Sequence, residues 1–372
     1  MICQNCLEEI KDSTIKVCPK CMALLQSKDN VFINNVKVEG LFDLFNYEIN
    51  FVNNSRVSIF ISPNGCGKTT ILNFINFLVY PNQQTFKRIC KIPVKYFEVE
   101  FSNGVRVVYK KNPIKSSNPD YEIFNFTFAI DDGVEYDEDN MLEYLLRAIK
   151  FSGKLNHFVE LFFQARRSVV SNVAPSINYI KADRLIIDSF ADAMEYSVFN
   201  VENFKNYGKM RKVSLSSMDN AQSHMKKLYK QALTQTDEKG KIARLNEKIK
   251  LFKEIFERRN VVTKKTIEFS AKNGFEIFQK GKPLEINCIS SGEKNDFIVF
   301  FDLVFRSSDF GVTLIDEPEI SLHIDWQEEF IEDAVRICKM NKTQLIVVTH
   351  SPSIINGYLD LLAEKKVEDY ED

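Results

Sequence analysis

The run Ser62-Pro63-Asn64-Gly65-Cys66-Gly67-Lys68-Thr69-Thr70 leaves few folds open. Before it stands Arg56-Val57-Ser58-Ile59-Phe60-Ile61, a short apolar stretch that reads as a buried strand. After it stands Ile71-Leu72-Asn73-Phe74-Ile75-Asn76-Phe77-Leu78, apolar at helical spacing. Strand, glycine-rich loop and helix in that order is the setting of a phosphate-binding loop. Gly65 and Gly67 let the backbone turn tightly enough for consecutive N–H groups to face one anion, and the helix adds its positive amino-terminal end. Lys68 would reach the β- and γ-phosphates of a nucleotide, and the Thr69 hydroxyl, with Thr70 beside it, would ligate Mg²⁺. One position departs from G-x-x-x-x-G-K-[ST]: Ser62 stands where the first glycine belongs. The plainer alternative is a glycine-containing turn before a helix that binds nothing.

A second pair of motifs favours the phosphate reading. Val312-Thr313-Leu314-Ile315 closes on Asp316-Glu317, a buried parallel strand with two carboxylates at its carboxyl edge, where open α/β sheets bind ligands. Asp316 would hold Mg²⁺, and Glu317 is the natural general base for an attacking water. Leu345 to Val348 is a second such strand, and it would set His350 at the same edge, near the γ-phosphate.

The remaining segments read as additions to this nucleotide core. With a net charge of −2, any surface for a polyanion has to be local. No apolar run is long enough to cross a membrane, and no secretory leader is visible, so a cytoplasmic protein is expected. Cys3-x-x-Cys6 and Cys18-Pro19-Lys20-Cys21, eleven residues apart, have the spacing of a structural Zn²⁺ site. Four other cysteines (Cys66, Cys90, Cys288 and Cys338) are scattered. Strand-like runs at Val94 to Phe101 and Val105 to Tyr109, joined by Asn103-Gly104, and a further run at Tyr121 to Ile130, form an antiparallel β subdomain. An acidic loop from Asp131 to Asn140, a helix from Met141 to Lys150 and a strand from Ile177 to Ile187 follow. Ile242, Leu245, Ile249, Phe252 and Phe256 mark one helix face in a basic stretch, where fifteen Lys and Arg stand against six Asp and Glu between Lys205 and Asn260. That stretch is either a solvated helix face or a phosphate-contacting one. Thr266 to Phe269 and Phe275 to Phe278 flank a hairpin signal at Asn273-Gly274. The expected organisation is a zinc-ribbon segment over 1–29, an amino-terminal lobe over 30–189, a basic helical insertion over 190–265 and a carboxy-terminal lobe over 266–372.

Asn64-Gly65-x-Gly67-Lys68-Thr69-Thr70, Ser290-Ser291-Gly292-Glu293, Leu314-Ile315-Asp316-Glu317-Pro318-Glu319-Ile320-Ser321-Leu322-His323 and Val348-Thr349-His350-Ser351-Pro352 resemble the Walker A, signature, Walker B with D-loop, and H-loop motifs of ABC-type ATPases. The flavour is similar to the RecF/SMC/OLD-like branch, which includes Septu-, PARIS- and retron-associated anti-phage ATPases. The resemblance covers residues 30 to 360 and implies an α/β fold: a P-loop ABC-type ATPase head with an antiparallel β subdomain and a helical insertion. The amino-terminal zinc ribbon lies outside it.

That resemblance implies ATP and Mg²⁺ as ligands, with Asn64, Gly65, Cys66, Gly67, Lys68, Thr69 and Thr70 at the nucleotide. It also implies a head-to-head homodimer or higher homo-oligomer in which the signature residues Ser291, Gly292 and Glu293 face the ATP of the opposite head. Glu317 would activate water, Lys68 would hold the transferred phosphate, and His350 would sense it. A Q-loop glutamine is also expected, with Gln164 as one candidate and Ile180 to Arg184 as another location. Three functions follow: an ATP-driven switch in a defence system acting with a separate nuclease or toxin effector, a RecF-like ATPase that binds DNA junctions, or a nucleotide-binding scaffold without turnover.

Overall fold

The computed structural model describes residues 31–51, 56–89, 91–111, 126–131, 170, 174–182, 217–234 and 238–368. The zinc-ribbon cysteines Cys3, Cys6, Cys18 and Cys21, the acidic loop after Asp131, the helix expected over Met141 to Lys150, and Gln164 lie outside the described residues.

The chain begins with β1 (Ile33–Leu41), β2 (Phe45–Asn50) and β3 (Val57–Ile61), then α1 (Lys68–Val79) and α2 (Gln83–Ile89). A hairpin of β4 (Tyr96–Phe101) and β5 (Arg106–Lys111) follows, with β6 (Phe126–Asp131) beside it and β7 (Ile177–Ile180) further on. Two helices, α3 (Ser217–Thr234) and α4 (Glu238–Arg259), lead to a meander of β8 (Lys265–Ser270), β9 (Gly274–Gln279) and β10 (Lys282–Leu284). Helix α5 (Ser291–Phe301) continues into a π-helical turn at Asp302–Arg306. Then come β11 (Val312–Asp316), the short α6 (Ile324–Glu328), α7 (Phe330–Asn341), β12 (Gln344–Thr349), the short α8 (Pro352–Ile355) and β13 (Glu364–Glu368).

Three sheets result. A four-stranded parallel sheet has the order β3-β12-β11-β7, a six-stranded antiparallel sheet the order β13-β2-β1-β4-β5-β6, and a three-stranded antiparallel sheet the order β10-β9-β8. Strands β3, β11 and β12 are almost wholly buried because both their faces are covered, while the edge strand β7, Ile-Asn-Tyr-Ile, is half-buried. Along β12, Ile346 and Val348 face one core while Leu345 and Val347 face the other, as the two-residue period of a strand requires. The first core fills the space between the parallel sheet and the six-stranded sheet, with α1 between them. Its helix contributes Ile71, Leu72, Phe74, Ile75, Phe77 and Leu78, and Phe74 stacks on Phe97 at 4.8 Å between ring centroids.

The second core gathers α3, α4, α5, α7 and the small meander. Here Phe252 of α4 meets Phe297, Phe301 and Phe305. The face marked in the sequence by Leu245, Phe252 and Phe256 is buried against this lobe. Much of the basic charge on α4 also turns inward: Arg244 and Lys248 pair with Asp309, Lys253 with Glu268, and Arg258 and Arg259 with Asp333. Lys226, Lys227, Lys230, Lys239, Lys241 and Lys250 are exposed. Strands far apart in the chain pair, β3 with β12 and β13 with β2. The carboxy-terminal strand β13 thus returns to the loop that follows β3, while the start of β1 lies at the other end of the parallel sheet, where Ile33 pairs with Gln344.

Candidate nucleotide-binding site

Residues Ser62 to Gly67 connect the end of β3 to the start of α1. Gly67 caps the helix with φ 81°, a left-handed value that glycine adopts without strain. Space is a second constraint there, since a Cβ on Gly67 would lie 2.5 Å from Leu41 Cδ2. Pro63, Asn64 and Gly65 are exposed, while Ser62 and Lys68 are buried. The Lys68 ammonium donates to the backbone oxygens of Ser62 (2.8 Å) and Pro63 (3.0 Å). A buried cation without such acceptors would be costly, and the loop supplies them.

Parallel pairing then joins this loop to the second motif. Asp316 ends β11, two strands from β3. The Thr69 hydroxyl donates to Asp316 Oδ2 at 2.7 Å, although 247 residues separate them. Burial raises the Asp316 pKa above the ordinary carboxylate range, and the Thr69 hydrogen bond opposes this only in part. A desolvated carboxylate beside a threonine hydroxyl, with a lysine near by, is an oxygen donor set that suits a hard divalent cation. The residues therefore fit Mg²⁺, and Thr69 and Asp316 are the ones that could hold it.

Glu317 follows with φ 46°, a left-handed value that costs a non-glycine residue about 1 kcal/mol or more. Its N–H donates to Val348 O at 2.8 Å, which anchors the turn to β12. The Glu317 carboxylate lies 3.5 Å from His350 Nδ1. Glu319 is held more tightly than the sequence suggested: its Oε1 accepts from the Thr349 hydroxyl (2.7 Å) and the His350 N–H (3.0 Å), and lies 3.1 Å from His350 Nδ1. Glu317, Glu319 and His350 thus form one cluster at the carboxyl edge of β11 and β12. In the neighbouring turn, the Ser351 hydroxyl donates to Gln327 at 2.8 Å.

The segment Ser290 to Glu293 stands apart. Ser290 caps α5, and its hydroxyl accepts from the Glu293 N–H while the Glu293 carboxylate accepts from the Ser290 N–H, a reciprocal capping box. Burial pushes the Glu293 pKa up, but the Lys265 ammonium paired with it and the Ser290 hydrogen bonds outweigh this and hold it below the ordinary range. A Cβ on Gly292 would lie 2.7 Å from Ser321 O, so only glycine lets α5 approach the segment after Glu319 so closely. Asn295 reinforces that approach by donating to Ile320 O. Ser290 and Ser291 remain exposed, and none of the hydrogen bonds of Ser290 or Glu293 runs to the phosphate loop.

Behind α5 lies a buried charge cluster for which the sequence offered no signal beyond a basic stretch. The Arg259 side chain is fully buried and donates to Asp296 (2.8 Å), to Asp333 (3.0 and 3.1 Å) and to Trp326 O (3.2 Å), with its guanidinium 4.4 Å from the Phe300 ring centroid. It joins α4 to α5, α6 and α7, that is, to the helices around the Ser290 and Glu319 segments. Burial, with Asp333 close by, pushes the Asp296 carboxyl up to about 6 although Arg259 pulls the other way.

A parallel sheet whose strands carry a glycine-rich phosphate loop and an Asp-Glu pair to one edge defines the P-loop ATPase class. Residues 61–356 match the family model described as "AAA domain, putative AbiEii toxin, Type IV TA system", and the chain belongs to that family. Among solved structures, an SMC head bound to the C-terminal winged-helix domain of ScpA is 14% identical, with a TM-score of 0.49, covering 91% of this chain and 98% of that one. An SMC head with an extended coiled coil bound to the C-terminal domain of ScpA, from Pyrococcus furiosus, is 14% identical with a TM-score of 0.46, covering 91% and 96%. The SMC head domain from Thermotoga maritima is 15% identical with a TM-score of 0.42, covering 91% and 99%. The likeness is distant in both sequence and superposition. No curated protein matches the chain. Among the described residues, no helix is long and apolar enough to cross a membrane.

Proposed function

We propose that this chain is an ATP-binding and ATP-hydrolysing switch that dimerises head to head around nucleotide. The observation that carries the proposal is the 2.7 Å hydrogen bond between Thr69 and Asp316, which brings the phosphate loop and the Asp-Glu pair to one point. In this reading Asn64, Gly65, Cys66, Gly67 and Thr70 offer backbone groups to the phosphates, and Lys68 turns from its own loop carbonyls to the β- and γ-phosphates. Thr69 and Asp316 hold Mg²⁺, which when bound offsets the charge of the phosphates. Glu317 accepts the proton of the attacking water, and its strained backbone fixes where that carboxylate sits. His350 stands 3.5 Å from Glu317 and orients it while facing the γ-phosphate.

Ser291, Gly292 and Glu293 complete the site of the opposite head in this proposal. The exposure of Ser290 and Ser291 at the amino-terminal end of α5 supports that assignment, because such an end attracts anions. The description of the family by a toxin of a toxin–antitoxin system favours a defence setting over a housekeeping one. A separate nuclease or toxin effector and a zinc ion on Cys3, Cys6, Cys18 and Cys21 belong to the same proposal. A RecF-like contact with DNA would rest on the exposed lysines of α3 and α4, since the other basic residues of α4 are engaged within the chain.

Phosphate release from Mg²⁺–ATP tests the reading. Wild-type protein is expected to turn ATP over, and Lys68→Ala is expected to lose that turnover by about a hundredfold or more. Equal, background-level release from both proteins would leave only the scaffold reading.

A further inference from the structure

Strand β13 lies beyond residues 61–356, the stretch matched by the family model, yet it reaches the phosphate loop. After α8 the chain returns along β3: Leu362 bridges Ile59, and the Ala363 N–H donates to Ile59 O at 2.8 Å. β13 then pairs antiparallel with β2, placing Lys365 opposite Ile49 and Val367 opposite Tyr47. Residues two apart on paired strands share a face, so Lys365 and Tyr47 lie on the same side of this ribbon. The Lys365 ammonium sits 4.6 Å from the centroid of the Tyr47 ring and donates to the Ser62 hydroxyl at 3.3 Å. The buried Tyr47 in turn donates its hydroxyl to Cys66 O at 3.2 Å. One strand pair therefore grips the phosphate loop at both ends, at Ser62 where it leaves β3 and at Cys66 just before Gly67.

The residue at position 62 gains a meaning from this contact. A glycine there, as the usual loop pattern has it, would offer Lys365 no hydroxyl. The serine trades some freedom of the turn for an attachment point. A loop held in place loses less conformational freedom when it closes on phosphate, and that difference appears as affinity.

We propose that Lys365 and Tyr47 are positioning residues for nucleotide, and that β13 sets the affinity of the phosphate loop through the hydroxyl of Ser62. This inference rests on the reading of the loop as an ATP site. A merely structural β13 would need its backbone pairs with β2 and would be indifferent to the Ser62 hydroxyl.

The test is a fluorescence titration of the full chain with a labelled ATP analogue and Mg²⁺, alongside melting temperatures without nucleotide. Lys365→Met keeps the aliphatic stem on Tyr47 and removes the ammonium. It is expected to weaken binding about five- to tenfold, the net scale of one ordinary hydrogen bond, as suits a contact of 3.3 Å. Lys365→Arg, which keeps the cation and a donor, is expected to restore most of the loss. Ser62→Gly is expected to weaken binding as well, and Lys365→Met added to it should change little more, because both remove the same contact. Binding by Lys365→Met that matches the wild type, or full additivity of the Ser62→Gly and Lys365→Met effects, would overturn the brace while leaving the ATP site intact. A wild-type chain that binds no nucleotide would overturn the ATP reading and the brace with it.

Discussion

Replacing Arg259 by Met should destabilise this protein more than any loss of a surface charge. The Arg259 side chain is fully buried, and the Asp296 and Asp333 side chains are 5% and 0% exposed. Asp333 keeps Arg258 at 2.5 Å when Arg259 is gone, but Arg259 is the sole ion-pair partner of Asp296 among the described residues. Breaking a buried pair from one side leaves an uncompensated carboxylate, which costs about 3–5 kcal/mol. Asp296 can escape part of that cost by taking up a proton, since its pKa already stands at about 6. The loss should therefore fall near 3 kcal/mol at neutral pH, and lower in mild acid. Chemical unfolding followed by far-ultraviolet circular dichroism measures it. The double variant Arg259→Met with Asp296→Asn removes the stranded charge and should recover a large part of the loss. A single variant within about 1 kcal/mol of the wild type, or a double variant no better than the single, would refute the reasoning.

Other outcomes follow from the same geometry. Asp316→Asn should raise the melting temperature without nucleotide at neutral pH, while weakening Mg²⁺-dependent nucleotide binding. The sign follows from its raised pKa: stability tied to the protonated carboxyl is present below the unfolded value and is lost as pH rises through the folded one, so the charge is a burden at pH 7. His224 is half-buried with its ring edge-on to Phe301, and desolvation, with Arg306 near by, lowers its pKa to about 4. Its contribution is present above about pH 6.5 and is lost as pH falls through about 4, so His224→Gln should lose less stability than the wild type over that interval, by on the order of 3 kcal/mol in unfolding free energy.

The local parts of this architecture were legible in the sequence, because local chemistry writes them. Asn103-Gly104 and Asn273-Gly274 each mark a turn between paired strands, with both glycines at φ 76°. The apolar runs at Val312 and Leu345 announce strands that are covered on both faces. Ser290 and Glu293, read in the sequence only as a signature motif, also form a capping box. What depends on distant pairing was not legible. Nothing in Glu364–Glu368, a charged stretch, says that it will pair with β2 and hand Lys365 to Ser62. Arg259 looks like one more cation in a basic helix, and only the packing of α4 on α5, α6 and α7 turns it inward. Glu319 sits two residues from Glu317, and its bonds to Thr349 and His350 exist because β11 and β12 are neighbours.

The central claim is that two copies of this chain close around ATP and that Glu317 opens them again. Sedimentation velocity of Glu317→Gln with and without Mg²⁺–ATP tests it most directly. Glu317→Gln should form a stable dimer with ATP, remain a monomer without it, and form no dimer when Lys68→Ala is added. A Glu317→Gln chain that stays monomeric at saturating ATP, together with a wild type that releases no phosphate, would contradict it.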